Sequence, residues 1–125
     1  MQRKAFDLEE RLVTFAVRVI GVVEALPATR AGSHVAGQVL RCGTSPAPNY
    51  AEARAAESRR DFVHKLGICL KELRETRCWL RLTLRAQLLP AKRLTSLLDE
   101  CEQLVSIMVK SIVTAKSNSK RNTVE

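Results

Sequence analysis

From Asp61 to Arg85 the chain reads DFVHKLGICLKELRETRCWLRLTLR, and Phe62, Leu66, Cys69, Leu73, Thr76, Leu80 and Thr83 or Leu84 recur at alternating spacings of four and three. That alternation keeps one side of an α-helix turned toward a partner helix. Leu8, Leu12, Phe15, Val19, Val22 and Leu26 repeat the pattern, as do Leu94, Leu98, Cys101, Val105, Met108, Ile112 and Ala115. Long helices with such faces must bury them against one another, and the links between them are short. The expected fold is all-α: an antiparallel up-down four-helix bundle.

Breaking residues set the expected boundaries. Asp7, with Glu10 three residues on, reads as the cap of a first helix running to Leu26, which Pro27 stops. A second helix is expected to start near Ser33 and carries Val35, Val39 and Leu40. Pro46 and Pro48 then interrupt it, because each removes a backbone donor and disfavours helix at the preceding residue. Residues 43–49 are read as a break or kink, with a short helical stretch around Tyr50–Ala56. Ser58, followed by Asp61, caps a third helix that ends before Pro90, and Pro90 suits the first turn of the fourth. The bundle is expected over residues 1–116, with 117–125 a mobile polar tail.

Composition agrees with one globular domain. Of 125 residues, 46% are apolar and 27% charged, against disorder; 4% aromatic residues and five glycines speak against a β-sandwich or barrel. No stretch approaches the ~18 uncharged apolar residues of a membrane span, and Asp7, Glu9 and Glu10 spoil a signal peptide. Cys42, Cys69, Cys78 and Cys101 form no C-x-x-C pair and are expected to be free thiols in a reducing cytoplasm. Val13, Ala16, Ile20 and Val23 on the first helix and Leu97 and Leu104 on the fourth widen the apolar faces beyond one seam, which predicts self-association.

The charge is unevenly placed. The chain carries 21 Lys+Arg against 13 Asp+Glu, net +8. Residues 58–93 hold ten of the cations and three of the acids, so +7 of the +8 falls there. Arg60, His64, Gly67, Lys71, Arg74, Cys78, Arg81 and Arg85 form a single stripe along the third helix, flanked by Arg77. Like charges at these spacings repel by roughly a few tenths of a kcal/mol per pair, so an anion or facing acids should compensate. One reading is a solvated basic face, diluted by Glu72 and Glu75 pairing with neighbours between Arg74 and Arg77. The functional reading is a phosphate-contacting ridge of Arg60, Lys71, Arg74, Arg77, Arg81 and Arg85, because arginine's planar fork suits phosphate. Trp79 lies off the stripe, so base stacking is not indicated.

Other constellations are weak. Asp61-x-x-His64 gives one partial copy of a di-metal motif that needs two plus further glutamates, so no metal or cofactor is expected. Cys69 and Cys101 read as buried hydrophobes; Cys78, between Arg74 and Arg81, is the candidate for reactivity. Asn49 and Glu52 read as anchors of the proline kink, and site residues are the alternative. No phosphate loop, nucleophile elbow or carboxylate dyad is present. An enzyme is not expected.

The segment TSPAPNYAEARAAESRRDFVHKLGICLKELRETRCWLRL, residues 44–82, resembles the bacterial four-helix bundle proteins encoded by intervening sequences of 23S ribosomal RNA genes. Thr44, Ser45, Asn49, Glu52, Ala53, Ser58, Asp61, Phe62, Leu70, Lys71, Glu72, Glu75, Thr76, Trp79 and Leu80 carry the likeness. Ala47, between Pro46 and Pro48, stands where that family has proline; Tyr50 replaces a branched aliphatic residue and Cys78 a tyrosine. The resemblance implies a homopentamer with a central channel and no attached enzymatic activity. Similar accessory proteins of diversity-generating retroelements are basic pentamers that engage a reverse transcriptase and nucleic acid. The expected function is a non-enzymatic oligomeric scaffold binding RNA or DNA. The alternative is an adaptor whose ridge docks an acidic protein such as a ribosomal protein or reverse transcriptase.

Overall fold

The computed structural model describes the backbone of residues 3–124 and the side chains of residues 8–118. Its helices are α1 (Arg3–Ala25), α2 (Arg30–Thr44), α3 (Pro46–Arg54), α4 (Arg59–Arg85) and α5 (Thr95–Val124), with a short 3-10 turn at Ala91–Arg93. α2 and α3 together form the second helix of an antiparallel four-helix bundle, joined at Ser45. No strand occurs among the described residues. Partner positions run in opposite directions: Arg54 meets Glu9 while Gly43 meets Val19, and Arg41 meets Glu72 while Lys65 meets Glu52.

The column read from the sequence is the core, except that Phe62 at its start is only partly buried. Leu66, Cys69, Leu73, Thr76, Leu80 and Thr83 of α4 are all buried, as are Leu8, Leu12, Phe15, Val19 and Val22 of α1. The two threonines satisfy their hydroxyls on the carbonyls of Glu72 and Trp79, one turn back, at 2.8 Å each. On α5 the buried set is wider than one seam: Leu97 is 3% exposed and Leu104 0%, alongside Leu94, Cys101, Val105 and Met108. These two leucines are therefore core rather than surplus surface, because α5 packs against both α1 and α4. The surplus is real on α1, where Val13, Val17 and Ile20 stand 42%, 61% and 44% exposed on one face.

Several boundaries differ from the sequence expectation. α1 starts at Arg3, so position 7 lies inside the helix rather than at its cap; residues 3–7 contain no glycine or proline to stop it. Thr29, not Ser33, caps α2: its side chain accepts the Gly32 N–H at 3.0 Å. That turn closes tightly on Pro27, whose carbonyl oxygen would lie 2.0 Å from any Cβ at position 32. Pro90 precedes the 3-10 turn, and α5 starts five residues later at Thr95. The α5 backbone continues through residues 117–124, where the sequence predicts a mobile tail; the side chains from 119 onward lie outside the described residues.

The proline break is narrower than residues 43–49. Ser45 alone separates α2 from α3 and keeps helical angles, φ −74° and ψ −30°. Pro46 occupies the first turn of α3, where its missing donor costs nothing. Asn49 clamps the joint, donating from Nδ2 to the Ser45 carbonyl at 3.0 Å and to Ser45 Oγ at 3.2 Å. Glu52 faces α4 and pairs with Lys65 at 2.9 Å. Ser58 caps α4 as read, its Oγ accepting the Asp61 N–H at 3.0 Å.

Candidate functional site

The third helix of the bundle, α4, places two kinds of cation on two different sides. Those turned toward neighbouring helices are paired with acids. Lys65 meets Glu52 of α3, and Arg77 meets Glu102 of α5 at 3.3 Å. Cations on the other helices do the same: Arg11 of α1 grips Glu100 of α5 at 2.8 Å, and Arg54 of α3 grips Glu9 of α1 at 2.9 Å. The ion pairs thus sit at the seams of the bundle.

The outward stripe is different. Arg60, Lys71, Arg74, Arg81 and Arg85 are all exposed, and none has an acidic partner among the described residues. Arg77, counted with them from the sequence, sits toward α5 with its guanidinium on Glu102. From Arg60 to Arg85 is 25 residues of one helix, about 37 Å at ~1.5 Å per residue. His64, Gly67 and Cys78 fill the intervening positions and are exposed as well.

Glu72 and Glu75 do not dilute this ridge. Both turn to the opposite flank of α4, where Arg41 of α2 bridges them, at 3.2 Å from Glu72 and in close contact with Glu75. Glu75 also accepts the Trp79 indole N–H at 3.1 Å, and the His34 ring meets the Trp79 ring edge-on at 5.8 Å. Gln38 adds an amide oxygen to Arg41. The sequence offered no sign of this arrangement, because the residues that meet are 31 and 34 positions apart. Its effect is to hold the two acids of α4's central turns away from the row of positive charge.

The remaining candidates are placed as follows. Cys42, Cys69 and Cys101 are buried and Cys78 is exposed; none is disulfide-bonded. Burial pushes the Cys42 thiol up, and pushes Cys69 and Cys101 up to about 12. Each buried thiol faces a carbonyl: Val39, Pro46 and Leu73 respectively. Asp61 and His64 stay an isolated pair, since no group of three or more possible metal ligands lies together among the described residues. No helix of the described residues is long and apolar enough to cross a membrane.

The fold and ridge define a basic four-helix bundle protein, and comparison places it more closely. Residues 4–110 match the model of the 23S rRNA-intervening sequence protein family, and the chain belongs to that family. A solved structure from Bacteroides thetaiotaomicron, a protein of unknown function from the S23 ribosomal protein family, is similar to it at 31% identity and a TM-score of 0.79. The match covers 84% of this chain and 97% of that one. No curated protein matches.

Proposed function

We propose that this chain is a non-enzymatic, cytoplasmic scaffold that binds nucleic acid, RNA foremost, through the ridge of Arg60, Lys71, Arg74, Arg81 and Arg85. One observation carries the reading: these five exposed cations lie in line without acidic partners among the described residues, while Glu72 and Glu75 of α4 and Glu102 of α5 are held by Arg41 and Arg77. A cationic row left uncompensated is mildly unfavourable by itself, and a polyanion removes that cost while releasing its own counterions. The ribosomal-family label of the solved neighbour belongs to that protein and leans the same way.

The scaffold works as a homo-oligomer, a homopentamer on the family resemblance. Val13, Val17 and Ile20 support self-association, being exposed at successive turns of α1. Repetition of the ridge in each copy multiplies weak phosphate contacts into avidity.

The test joins light scattering with the 260/280 nm absorbance ratio of protein purified at low salt, followed by titration of fluorescent RNA. An oligomer that retains nucleic acid, and loses it on Arg74→Glu with Arg81→Glu, is the expected result. Binding untouched by that double reversal overturns the reading. A protein partner that stays bound after nuclease treatment would instead make the ridge a dock for an acidic protein.

A further inference from the structure

Resting on the nucleic-acid reading above, we infer that the ridge takes a double-stranded helix rather than a single strand, and holds it by the phosphate backbone alone. Single strands are held in grooves that combine positive charge with aromatic platforms for successive bases. Between Lys71 and Arg85 the described residues set no aromatic platform in line with the cations. Among the described aromatics, Phe15 and Tyr50 are buried at 1% and 7% exposure, Phe62 is partly buried against the core at the start of α4, and Trp79 is engaged with Glu75 and His34 on the opposite flank. Two clefts that Phe62 lines with Arg59, one beside Ala53 and one beside Ile107 and Lys110, and a third at Leu84–Ala91 lie at the bundle ends, and Lys71, Arg74 and Arg81 line none of them.

What the ridge does offer is an unbroken row on the convex outer surface of one helix. α4 is an uninterrupted helix of 27 residues, fixed from beneath by its buried column. A single strand laid on such a surface would have to be ordered against its own flexibility, with no pocket to reward the ordering. A duplex arrives with its phosphates already spaced and at higher charge density, one negative charge per ~1.7 Å of axis. The ridge of about 37 Å runs past about one full turn of a duplex, ~34–36 Å for B-DNA. The exposed residues between the cations, His64, Gly67, Cys78 and Leu82, include no amide side chain to read base edges. An RNA duplex also keeps its base edges in a deep, narrow major groove that side chains, arginines included, do not read, so binding is indifferent to sequence.

The experiment is fluorescence anisotropy of the full chain with one 24-nucleotide RNA, as a single strand and annealed to its complement, across a salt series. The expected result is at least tenfold tighter binding of the duplex, with log affinity falling against log salt at about −4.5 for five phosphate contacts. A scrambled duplex binds equally well. Equal or tighter binding of the single strand, with a slope nearer −3.5, overturns this inference and leaves the nucleic-acid reading standing. Binding of neither form at low salt removes the reading itself. A duplex preference that survives both Arg74→Gln with Arg81→Gln and the charge reversal Arg74→Glu with Arg81→Glu places the duplex elsewhere on the protein and also overturns the inference.

Discussion

Glu102 of α5 holds Arg77 of α4 at 3.3 Å and so withdraws one arginine from the ridge beside it. Both side chains are partly exposed, 31% for Arg77 and 50% for Glu102, so the pair adds little to stability. Its main effect is on the field. Glu102→Gln should free Arg77, tighten RNA binding, and steepen the salt dependence by up to about 0.9 for one more phosphate contact. Anisotropy titrations of wild type and variant at three salt concentrations check this. An unchanged slope would mean that Arg77 cannot reach the ligand.

Thiol chemistry separates the four cysteines. The thiolate is the reactive form, and burial keeps Cys69 and Cys101 protonated up to about 12. A thiol reagent at pH 8 should modify one cysteine per folded chain, lost in Cys78→Ser, and four after unfolding. The same shifts give a pH dependence of stability. Between the ordinary thiol value of 9.0 and about 12 the unfolded chain has released these protons and the folded chain has not. Folding stability should therefore be complete below pH 9 and fall as the pH climbs toward 12, as chemical denaturation across that range would show.

Glycines on α2 and α4 should respond oppositely to alanine. At position 43 a Cβ would stand 2.7 Å from Val19 Cγ1 in the α1–α2 contact, whereas at position 67 nothing lies within 4 Å. Gly43→Ala should cost about 1–3 kcal/mol by overpacking. Gly67→Ala, in the middle of the ridge, should gain about 0.5–1 kcal/mol from helix propensity and leave RNA binding intact. Urea denaturation reads both.

The end of α4 holds an improvable residue. Gln87 has φ 57°, while the Leu88 N–H reaches the Thr83 carbonyl at 3.1 Å and the Gln87 N–H reaches Leu84 at 3.1 Å. This is the Schellman arrangement, in which glycine is the favoured residue. Gln87→Gly should raise stability by about 1 kcal/mol, visible as a higher denaturation midpoint.

What the sequence disclosed followed the range of the interactions involved. The column from Leu66 to Thr83 and the Ser58 cap were legible because helical periodicity and capping act within a few residues. The burial of Leu97 and Leu104 was not, since it depends on α5 meeting two helices at once. The start of α2 was misplaced because Ser33 and Thr29 are both good caps, and the contact of Gly32 with Pro27 decides between them. The ridge was visible as a stripe. Its freedom from Glu72 and Glu75 was not: that depends on Arg41, which lies 31 and 34 positions from them along the chain.

The row from Lys71 to Arg85 also bears on how the protein endures heat. Neighbouring cations along this row push against one another, and no acid among the described residues pairs with them. Any anion that settles there acts as a brace, so occupancy and folding are thermodynamically linked. Heparin or inorganic polyphosphate should protect this chain from thermal unfolding in proportion to concentration, and charge reversal on the ridge should erase that protection.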